Sequence, residues 1–328
     1  MKILITGGAG FIGSHLAERL LQDGKEVKII DDLSTGSMKN IDHLKDNKRL
    51  DVIIDSVMNE KTMEGLVLRT DYIYHLAAAV GVRLIIEQPI KTIETNIKGT
   101  ETVLKLASKY KKKVLIASTS EVYGKHIEHI LSEGDNMVYG PTTNSRWSYA
   151  CSKAIDEFLA LAYFKKYNLS VVIVRFFNTV GPRQTGQYGM VIPTFVKQAL
   201  LGQPITVYGN GKQSRSFTYV GDVIDGIIKL MNHSKTLGEI FNIGNGEETT
   251  IEKLAKKVKK MTQSNSEIVY VSYDDAYEQG FEDMQRRCPD VSKIKELVGY
   301  EPKVDLDGIL KSVIEYYKEE LSKEEKTT

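Results

Sequence analysis

The sequence has few cysteines and no long apolar run, and each absence excludes a class of protein. Cys151 and Cys288 are the only cysteines among 328 residues, too few for a disulfide framework or for a zinc motif of repeated spacing. No apolar run is long enough to cross a bilayer, and the chain opens on a strand pattern rather than a signal peptide. We therefore expect a cytoplasmic protein without a metal site or membrane contact.

Net charge is also nearly absent. The chain has 44 basic and 43 acidic residues, a formal charge of +1. Proteins that bind nucleic acid usually carry a basic face, so general nucleic-acid binding is not expected. Hydrophobic residues make up 41% of the chain and charged residues 27%, which indicates a folded protein with a substantial core.

Short apolar runs alternate with segments of helical spacing through the first half of the chain. Continuous apolar character is typical of strands in a parallel sheet that is covered on both faces. We expect strands at Ile3–Thr6, Glu26–Ile30, Leu50–Ile54, Tyr72–Leu76, Val114–Ser118 and Ser170–Phe176, and helices at Phe11–Gln22, Lys61–Val67, Thr92–Tyr110 and Tyr149–Tyr167. This alternation predicts an α/β fold with a doubly wound, Rossmann-type parallel sheet.

After Phe177 the alternation of strand and helix patterns becomes irregular. We expect a loop over Gly181–Gly189, helices at Pro193–Leu201, Asp222–Met231 and Ile251–Met261, and short strands at Ile205–Tyr208, Ser216–Val220 and Ile240–Ile243. Residues 1–177 with about 218–248 are predicted to form a dinucleotide-binding domain. Residues 178–217 and 249–320 are predicted to form a smaller, discontinuous α/β domain, and residues 321–328 a frayed tail.

A glycine-rich turn joins the first strand to the first helix. In Gly7-Gly8-Ala9-Gly10-Phe11-Ile12-Gly13, the early glycines let the backbone approach a pyrophosphate, and the last lets the helix pack on the sheet. Asp31 ends the second strand, where a carboxylate accepts hydrogen bonds from a ribose and repels a 2′-phosphate. The turn predicts NAD rather than NADP as cofactor, although an ordinary tight turn and a capping role for Asp31 are the alternatives.

A tyrosine and a lysine lie four residues apart on one predicted helix. Tyr149 and Lys153 share a helix face, and a neighbouring ammonium favours the phenolate form of a tyrosine, whose ordinary pKa is about 10. Such a spacing is also common on helix surfaces. Thr119 and Glu121 follow the fifth strand at the edge where ligands bind, so a hydroxyl and a further acid/base group are expected beside the pair.

Several motifs, in this order along the chain, resemble the extended short-chain dehydrogenase/reductase family. They are Gly7-x-x-Gly10-x-x-Gly13, His75-Leu76-Ala77-Ala78, Asn96, Ser118-Thr119-Ser120, Tyr149-x-x-x-Lys153 and Arg175-Phe176-Phe177-Asn178. The resemblance implies that Tyr149 removes the proton of a sugar 4-hydroxyl while hydride passes from C4 to NAD. Lys153 would tune Tyr149 and hold the nicotinamide ribose. Thr119, Glu121, Tyr149 and Lys153 are thus the expected catalytic residues.

The resemblance also implies where a cofactor would bind. The expected contacts are Gly7, Gly10, Phe11, Ile12, Gly13, Asp31, Asp32, Leu33, Ser34, Thr35, Gly36, Ser56, Val57, Leu76, Ala77, Ala78, Asn96, Ser118, Tyr149, Lys153 and Phe176. Relatives often hold the adenine with an Asp before an aliphatic residue. Here Ser56-Val57 stand at that place, with Asp55 one residue earlier.

A nucleotide sugar is the substrate that the resemblance implies. The expected contacts are Gly81, Arg83, Thr119, Ser120, Tyr149, Asn178, Thr179, Val191, Tyr208, Arg215, Arg287 and Asp290. Asn178, Arg215 and Arg287 fall where relatives bind the diphosphate, and Tyr208 where they bind the base, usually uracil. Arg287-Cys288-Pro289-Asp290 resembles the family's Arg-x-Pro-Asp turn. A packed strand residue at Tyr208 and a solvated turn at Arg287 are the alternatives.

The motifs differ in the branch of the family that they favour. Gly81-Val82-Arg83 and Gly181-Pro182-Arg183-Gln184 resemble UDP-glucuronate 4-epimerases, whereas Thr119-Ser120-Glu121 resembles UDP-glucuronate decarboxylases. We expect 4-epimerisation of UDP-glucuronate, or of a close UDP-hexose such as UDP-glucose, with decarboxylation to UDP-xylose as the runner-up. A 4,6-dehydratase and a non-catalytic NAD-binding sensor or scaffold are further alternatives. The resemblance also implies a homodimer formed through Thr92–Tyr110 and Tyr149–Tyr167.

Overall fold

The structure, a computed structural model, describes residues 1–81, 87–126, 130–186, 190–273 and 284–325. Its first half alternates strands and helices as the apolar pattern predicts. In order these are β1 (Lys2–Thr6), α1 (Phe11–Gln22), β2 (Glu26–Asp31), β3 (Leu50–Ile54), α2 (Glu60–Leu68), β4 (Tyr72–His75), α3 (Pro89–Lys109), β5 (Lys113–Thr119), α4 (Trp147–Tyr167) and β6 (Val171–Phe176).

The second half adds shorter strands and the remaining helices. These are β7 (Thr179–Val180), α5 (Val191–Leu200), β8 (Ile205–Tyr208), β9 (Ser214–Ser216), β10 (Thr218–Tyr219), α6 (Val220–Asn232), β11 (Glu239–Ile243), β12 (Glu248–Thr250), α7 (Ile251–Thr262), β13 (Ile268–Val271), β14 (Arg286–Arg287), α8 (Ser292–Val298) and α9 (Leu306–Glu325).

Seven strands form one parallel sheet in the order β11-β6-β5-β4-β1-β2-β3. The chain runs outward from β1 to β3, then returns to the other side of β1 at β4 and continues to β11. The sheet is therefore of the predicted Rossmann type. Ligands bind such sheets at the carboxyl ends of the strands where the order reverses, which here lies between β1 and β4.

Helices cover both faces of this sheet. On one face, Leu16 and Leu20 of α1 and Ile227 of α6 are buried against the sheet. On the other, Met63 of α2 and Val103 of α3 are buried in a separate cluster. Each fully buried side chain of this size contributes about 1.5–3 kcal/mol relative to exposure, and the two clusters fix the strand ends that carry the site.

A third cluster combines residues 180–217 with residues 251–314. Around it β7 pairs with β10, β8 with β13, and β9 with both β12 and β14. The division into two domains stays a prediction.

One local prediction is wrong. Ser216–Val220 is not one strand, because β9 ends at Ser216, β10 covers two residues and Val220 already begins α6. Helix α9 continues through Glu325, residues 326–328 lie outside the described residues, and the frayed tail stays a prediction. Among the described helices, none combines the length and apolar character that crossing a membrane requires.

Candidate active site

The glycine-rich turn lies at the point where the strand order reverses. Gly7 adopts φ 72°, and a Cβ there would lie 2.8 Å from the backbone nitrogen of Ala77. A Cβ at Gly13 would collide with the carbonyl oxygen of Gly7. Gly10 is the N-cap of α1 and has no side chain with which to cap it. The first amide groups of α1 therefore stay available to an anion, because no capping side chain occupies them.

Asp31 lies at the mouth of this turn. Its Oδ2 accepts a hydrogen bond from the N–H of Ala9, and its Oδ1 accepts one from the N–H of Leu33, both at 2.9 Å. Burial raises the pKa of Asp31, and these hydrogen bonds act in the opposite direction. The carboxylate retains lone pairs for ribose hydroxyls. Asp32 accepts from the N–H of Ser34, and Gly36 lies so close to Asp31 that a Cβ would meet its carboxylate.

The loop after β4 is held by buried polar side chains. Asn96 Oδ1 accepts from the N–H of Ala79 at 2.8 Å, and its Nδ2 donates to Ser152 Oγ at 3.1 Å. Thr6 Oγ1 accepts from the N–H of Ala77 at 3.2 Å. Asn96 therefore fixes the position of this loop, and its expected contact with a cofactor stays a prediction.

His75 connects the loop to the helices behind it. Its two ring nitrogens lie 2.8 Å from Thr6 Oγ1 and 3.1 Å from Thr100 Oγ1. Burial, helped by the charge of Lys153, lowers the pKa of His75 to about 3. His75 is therefore a neutral structural residue at neutral pH.

The remaining expected cofactor residues are spread along the same edge. Ser56 donates its N–H to Asp55 Oδ1, and Val57 is buried against Gly99. Ser118 donates to Glu157 Oε1 at 2.5 Å. Phe176 ends β6, next to β5.

Tyr149 lies near the start of α4 and is buried. Burial above all, and the nearby charge of Glu121, raise its pKa, whereas a hydrogen bond with Thr119 and the charge of Arg287 lower it. Thr119 ends β5, and its Oγ1 also accepts from the N–H of Glu121 at 3.2 Å. The structure thus brings Thr119, Glu121 and Tyr149 together as the motifs predict.

Lys153 has a partner that the motifs do not predict. Its Nζ donates to Asp156 Oδ2 at 2.6 Å, and the two side chains are 2% and 0% exposed. Burial raises the pKa of Asp156, while Lys153 and a hydrogen bond from Thr100 lower it. Lys153 and Asp156 are three residues apart on one helix, and this spacing could have predicted the pair from the sequence.

Glu121 is the centre of a charged cluster. Its Oε1 lies 3.1 Å from Arg287 Nη1 and 3.7 Å from Arg146 Nη2. Arg287 belongs to β14 and Arg146 immediately precedes α4, so three distant segments meet at one carboxylate. Arg146 was not predicted, although a basic residue three positions before the candidate base was a usable signal.

Arg287 and Arg215 are adjacent across β14 and β9. Arg215 is buried and donates from Nη1 to the carbonyl oxygen of Ser214. Arg287 lies beside Glu121 and acts on Tyr149 by its charge, so the structure places it at the same end of the site as these two side chains. Its contact with a diphosphate stays a prediction.

The other expected substrate residues take varied positions. Asn178 donates from Nδ2 to the carbonyl oxygen of Ser216 at 2.8 Å, and Thr179 is buried on β7. Val191 begins α5 and Tyr208 ends β8, where it is 39% exposed. Asp290 Oδ1 accepts from the N–H of Ser292. Ser120 is buried, Gly81 has φ 121°, and Arg83 lies outside the described residues.

The chain is similar to known proteins along nearly its whole length. Residues 4–313 match the family model described as GDP-mannose 4,6 dehydratase. The chain is 44% identical over 319 residues to UDP-N-acetyl-alpha-D-glucosaminuronate decarboxylase of Bacillus cytotoxicus, covering 97% of this chain and 98% of that one. It is 39% identical over 323 residues to UDP-glucuronic acid decarboxylase 1 of Xenopus tropicalis, covering 98% of this chain and 73% of the relative.

A solved structure is similar along nearly the whole chain. It is that of UDP-glucuronic acid 4-epimerase from Bacillus cereus with UDP-glucuronic acid and NAD, with a TM-score of 0.88, 31% identity, and coverage of 97% of this chain and 99% of that one. The two relatives named above are decarboxylases, and the solved structure is that of an epimerase. The comparisons therefore do not favour epimerisation over decarboxylation.

Proposed function

Because the chain belongs to the extended short-chain dehydrogenase/reductase family of NAD-dependent nucleotide-sugar enzymes, we propose that it decarboxylates a UDP-hexuronate through a 4-keto intermediate. The ion pair between Glu121 and Arg287 beside Tyr149 is the observation that carries this proposal. The loop motifs favoured epimerisation over decarboxylation. We reverse this order because two sequence relatives that match nearly the whole of this chain are decarboxylases.

The residues at the switch point fit NAD. Gly7 and Gly13 leave no room for side chains, the first turn of α1 directs its amides at the same space, and Asp31 lies beside it. The glycine turn would hold the pyrophosphate and Asp31 the adenosine ribose. When bound, NAD would accept a hydride from the sugar C4 and later return it.

Tyr149 and Thr119 are proposed to act on the sugar 4-hydroxyl. The phenolate of Tyr149 would take its proton, and the Thr119 hydroxyl would hold the same oxygen. Burial and Glu121 oppose ionisation of Tyr149, so the cations around it matter. Arg287 is one such cation. Lys153, one helical turn along α4, would supply a second if its ammonium turned from Asp156 toward Tyr149.

Oxidation at C4 turns a uronate into a β-keto acid. Its C5–C6 bond can then break, with the electron pair moving toward O4, carbon dioxide leaving, and a proton adding at C5. Hydroxyls of Tyr149 and Thr119 would stabilise the negative charge that develops on O4.

The charged cluster around Glu121 could both select a substrate with a carboxylate and favour the loss of that carboxylate. Arg287 and Arg146 make the site attractive to a uronate. Because Glu121 already pairs with both guanidinium groups, the substrate carboxylate would be incompletely compensated, which favours its loss. Glu121 would take up a proton from solvent and pass it to C5.

4-Epimerisation of UDP-glucuronate is the second candidate. It is supported by the likeness to the solved 4-epimerase from Bacillus cereus. An epimerase must keep the carboxylate in place while the keto sugar turns over, and then return the hydride to its other face.

Product analysis separates the two reactions. The enzyme is incubated with UDP-glucuronate and, in parallel, UDP-N-acetylglucosaminuronate, and NMR of the nucleotide sugars is combined with measurement of carbon dioxide. We expect carbon dioxide and the corresponding UDP-pentose in equal amounts from one or both, and about a hundredfold less or lower still from Tyr149→Phe. Formation of UDP-galacturonate without carbon dioxide would replace decarboxylation by epimerisation.

A further inference from the structure

Asn242 is a fully buried amide on β11 that connects three segments. Its Oδ1 accepts a hydrogen bond from the Tyr123 hydroxyl at 2.6 Å. Its Nδ2 donates to the backbone carbonyl oxygens of Leu131 at 2.9 Å and Asp290 at 3.3 Å. Both N–H groups and the carbonyl of the amide are therefore used in fixing other parts of the chain.

One of these segments carries Glu121. Tyr123 ends the short 3₁₀ helix Ser120–Tyr123, in which Glu121 is the second residue. The Tyr123 ring is also covered by the guanidinium of Arg175, 4.6 Å from its centroid. The hydroxyl that meets Asn242 therefore belongs to a fixed side chain directly behind Glu121.

Of the other two segments, the one with Asp290 carries Arg287, and the one with Leu131 is hydrogen-bonded to it. Leu131 donates its N–H to the carbonyl oxygen of Cys288 at 2.9 Å and accepts from the N–H of Asp290 at 2.7 Å. The turn that follows Arg287 is thus bound to Leu131, and Asn242 binds the carbonyl oxygens of both Leu131 and Asp290.

Asn242 is itself held in place. Its backbone N–H donates to Glu133 Oε1 at 2.7 Å, and the carbonyl oxygen of Glu133 accepts from Arg175 Nη1 at 3.3 Å. Arg175 is in turn bound through two nitrogens to Glu157, at 2.9 and 2.7 Å. A buried polar network of this kind rigidifies its surroundings when all its members are satisfied.

We propose that Asn242 is a positioning residue that sets Arg287 against Glu121 and thereby determines how tightly the site binds a UDP-hexuronate. It acts through the backbone of Leu131 and Asp290. The substrate class rests on the proposed function; the positioning role rests on the hydrogen bonds above.

A double-mutant cycle tests whether Asn242 acts through Arg287. Calorimetry measures the Kd of UDP-glucuronate, and separately of UDP, for NAD-loaded enzyme in the inactive Tyr149→Phe background. Asn242→Ala and Arg287→Ala are each expected to weaken UDP-glucuronate binding about tenfold, the effect of losing one hydrogen bond to a charged group. The double variant is expected to bind no more weakly than Arg287→Ala alone. Multiplied effects, or an unchanged Kd for Asn242→Ala, would overturn the proposal.

Thr236→Val is the matched control for loss of a buried hydrogen bond. Its hydroxyl is buried and donates to the carbonyl oxygens of Leu230 and His233. We expect Thr236→Val to lower the melting temperature and to leave the Kd of UDP-glucuronate unchanged. If Thr236→Val weakened binding as much as Asn242→Ala does, Asn242 would be a general stabilising residue and not a positioning residue.

Asn242→Asp is the second variant, in case the alanine variant does not fold. It keeps the size and the acceptor for Tyr123 but turns an oxygen toward two carbonyls, so the same weakening is expected. Because the binding cycle uses no turnover, it decides on Asn242 even if the product test yields an epimerised sugar. If UDP-glucuronate does not bind, the same cycle is run with UDP-N-acetylglucosaminuronate.

Discussion

At the scale of single residues, burial and charge decide which groups are reactive. Tyr149 is buried and lies near the carboxylate of Glu121, both of which oppose its ionisation by raising its pKa, whereas Arg287 lowers that pKa. His75 is equally buried but is satisfied by two hydroxyls. The first arrangement suits a group that must change its protonation during a reaction, and the second suits a group that must not.

Replacement of the Tyr149 hydroxyl tests the base. Tyr149→Phe should reduce turnover about a hundred- to ten-thousand-fold, the usual cost of losing a general base, with little change in melting temperature or in NAD affinity measured by calorimetry. Tyr163→Phe, in the same helix, is the control and should turn over at the normal rate. A fully active Tyr149→Phe enzyme would exclude the proposed chemistry.

His75 predicts how stability depends on pH. Its pKa is lowered to about 3 in the folded protein, against about 6.5 in an unfolded chain. Between these values the unfolded chain binds a proton that the folded one does not, so the stability contributed by neutral His75 is lost as pH falls below about 6.5.

Urea unfolding at pH 7 and pH 5 measures this effect. The loss of unfolding free energy between the two pH values should be about 2 kcal/mol larger for the wild type than for His75→Gln. His15, whose pKa burial lowers to about 4, is present in both proteins and cancels. Equal losses would show that His75 is not buried in the neutral form.

At the scale of elements, the β1–α1 turn links fold and function most directly. Its glycines are required because the turn, the loop after β4 and the start of α1 pack backbone against backbone. The same packing leaves the amides at the start of α1 open to an anion. Side chains would therefore disturb both the packing and the cofactor site.

Two glycine-to-alanine substitutions test whether the close packing of the β1–α1 turn, and not the loss of any glycine, causes the effect. Gly13→Ala should lower the melting temperature and abolish NAD binding, because its Cβ would collide with the carbonyl oxygen of Gly7. Gly65→Ala, in α2, meets no heavy atom within 4 Å and should raise stability by about 0.5–1 kcal/mol. Melting curves with and without NAD compare them, and a Gly13→Ala protein that binds NAD normally would contradict the assignment.

At the scale of the whole molecule, α3 and α4 leave apolar side chains in solvent. Ile90 on α3 is 73% exposed and Phe158 on α4 is 62% exposed, with Ile93 and Ile155 partly exposed on the same helices. Exposed apolar side chains on neighbouring helices are typical of protein–protein interfaces. They support the prediction that these helices form a homodimer.

A charge on α4 tests this interface. Phe158→Asp should convert a dimer into a monomer, because dimerisation would bury an unpaired carboxylate. Leu201→Asp, at another exposed apolar position, should leave the dimer intact. Light scattering after size-exclusion chromatography gives both masses, and a monomeric wild type or a dimeric Phe158→Asp protein would refute the prediction.

Elements and motifs that depend on neighbouring residues could be predicted from the sequence. The apolar runs predict the parallel strands, the glycine spacing predicts the turn after β1, and the Tyr149–Lys153 spacing predicts one helix face. Strands such as β7 and β14, two residues each, have too few residues to show a period, and only their pairing defines them.

Tertiary structure decided which charges meet. Arg287 and Glu121 are 166 positions apart, and no periodicity relates them; they meet because β14 pairs with β9 while the turn after it is bound to Leu131. Lys153 is directed to Asp156 because a buried ammonium requires a carboxylate close by. The choice between losing and keeping a sugar carboxylate depends on such pairings, because the energy of a charge depends on its neighbours in space and not on its position in the chain.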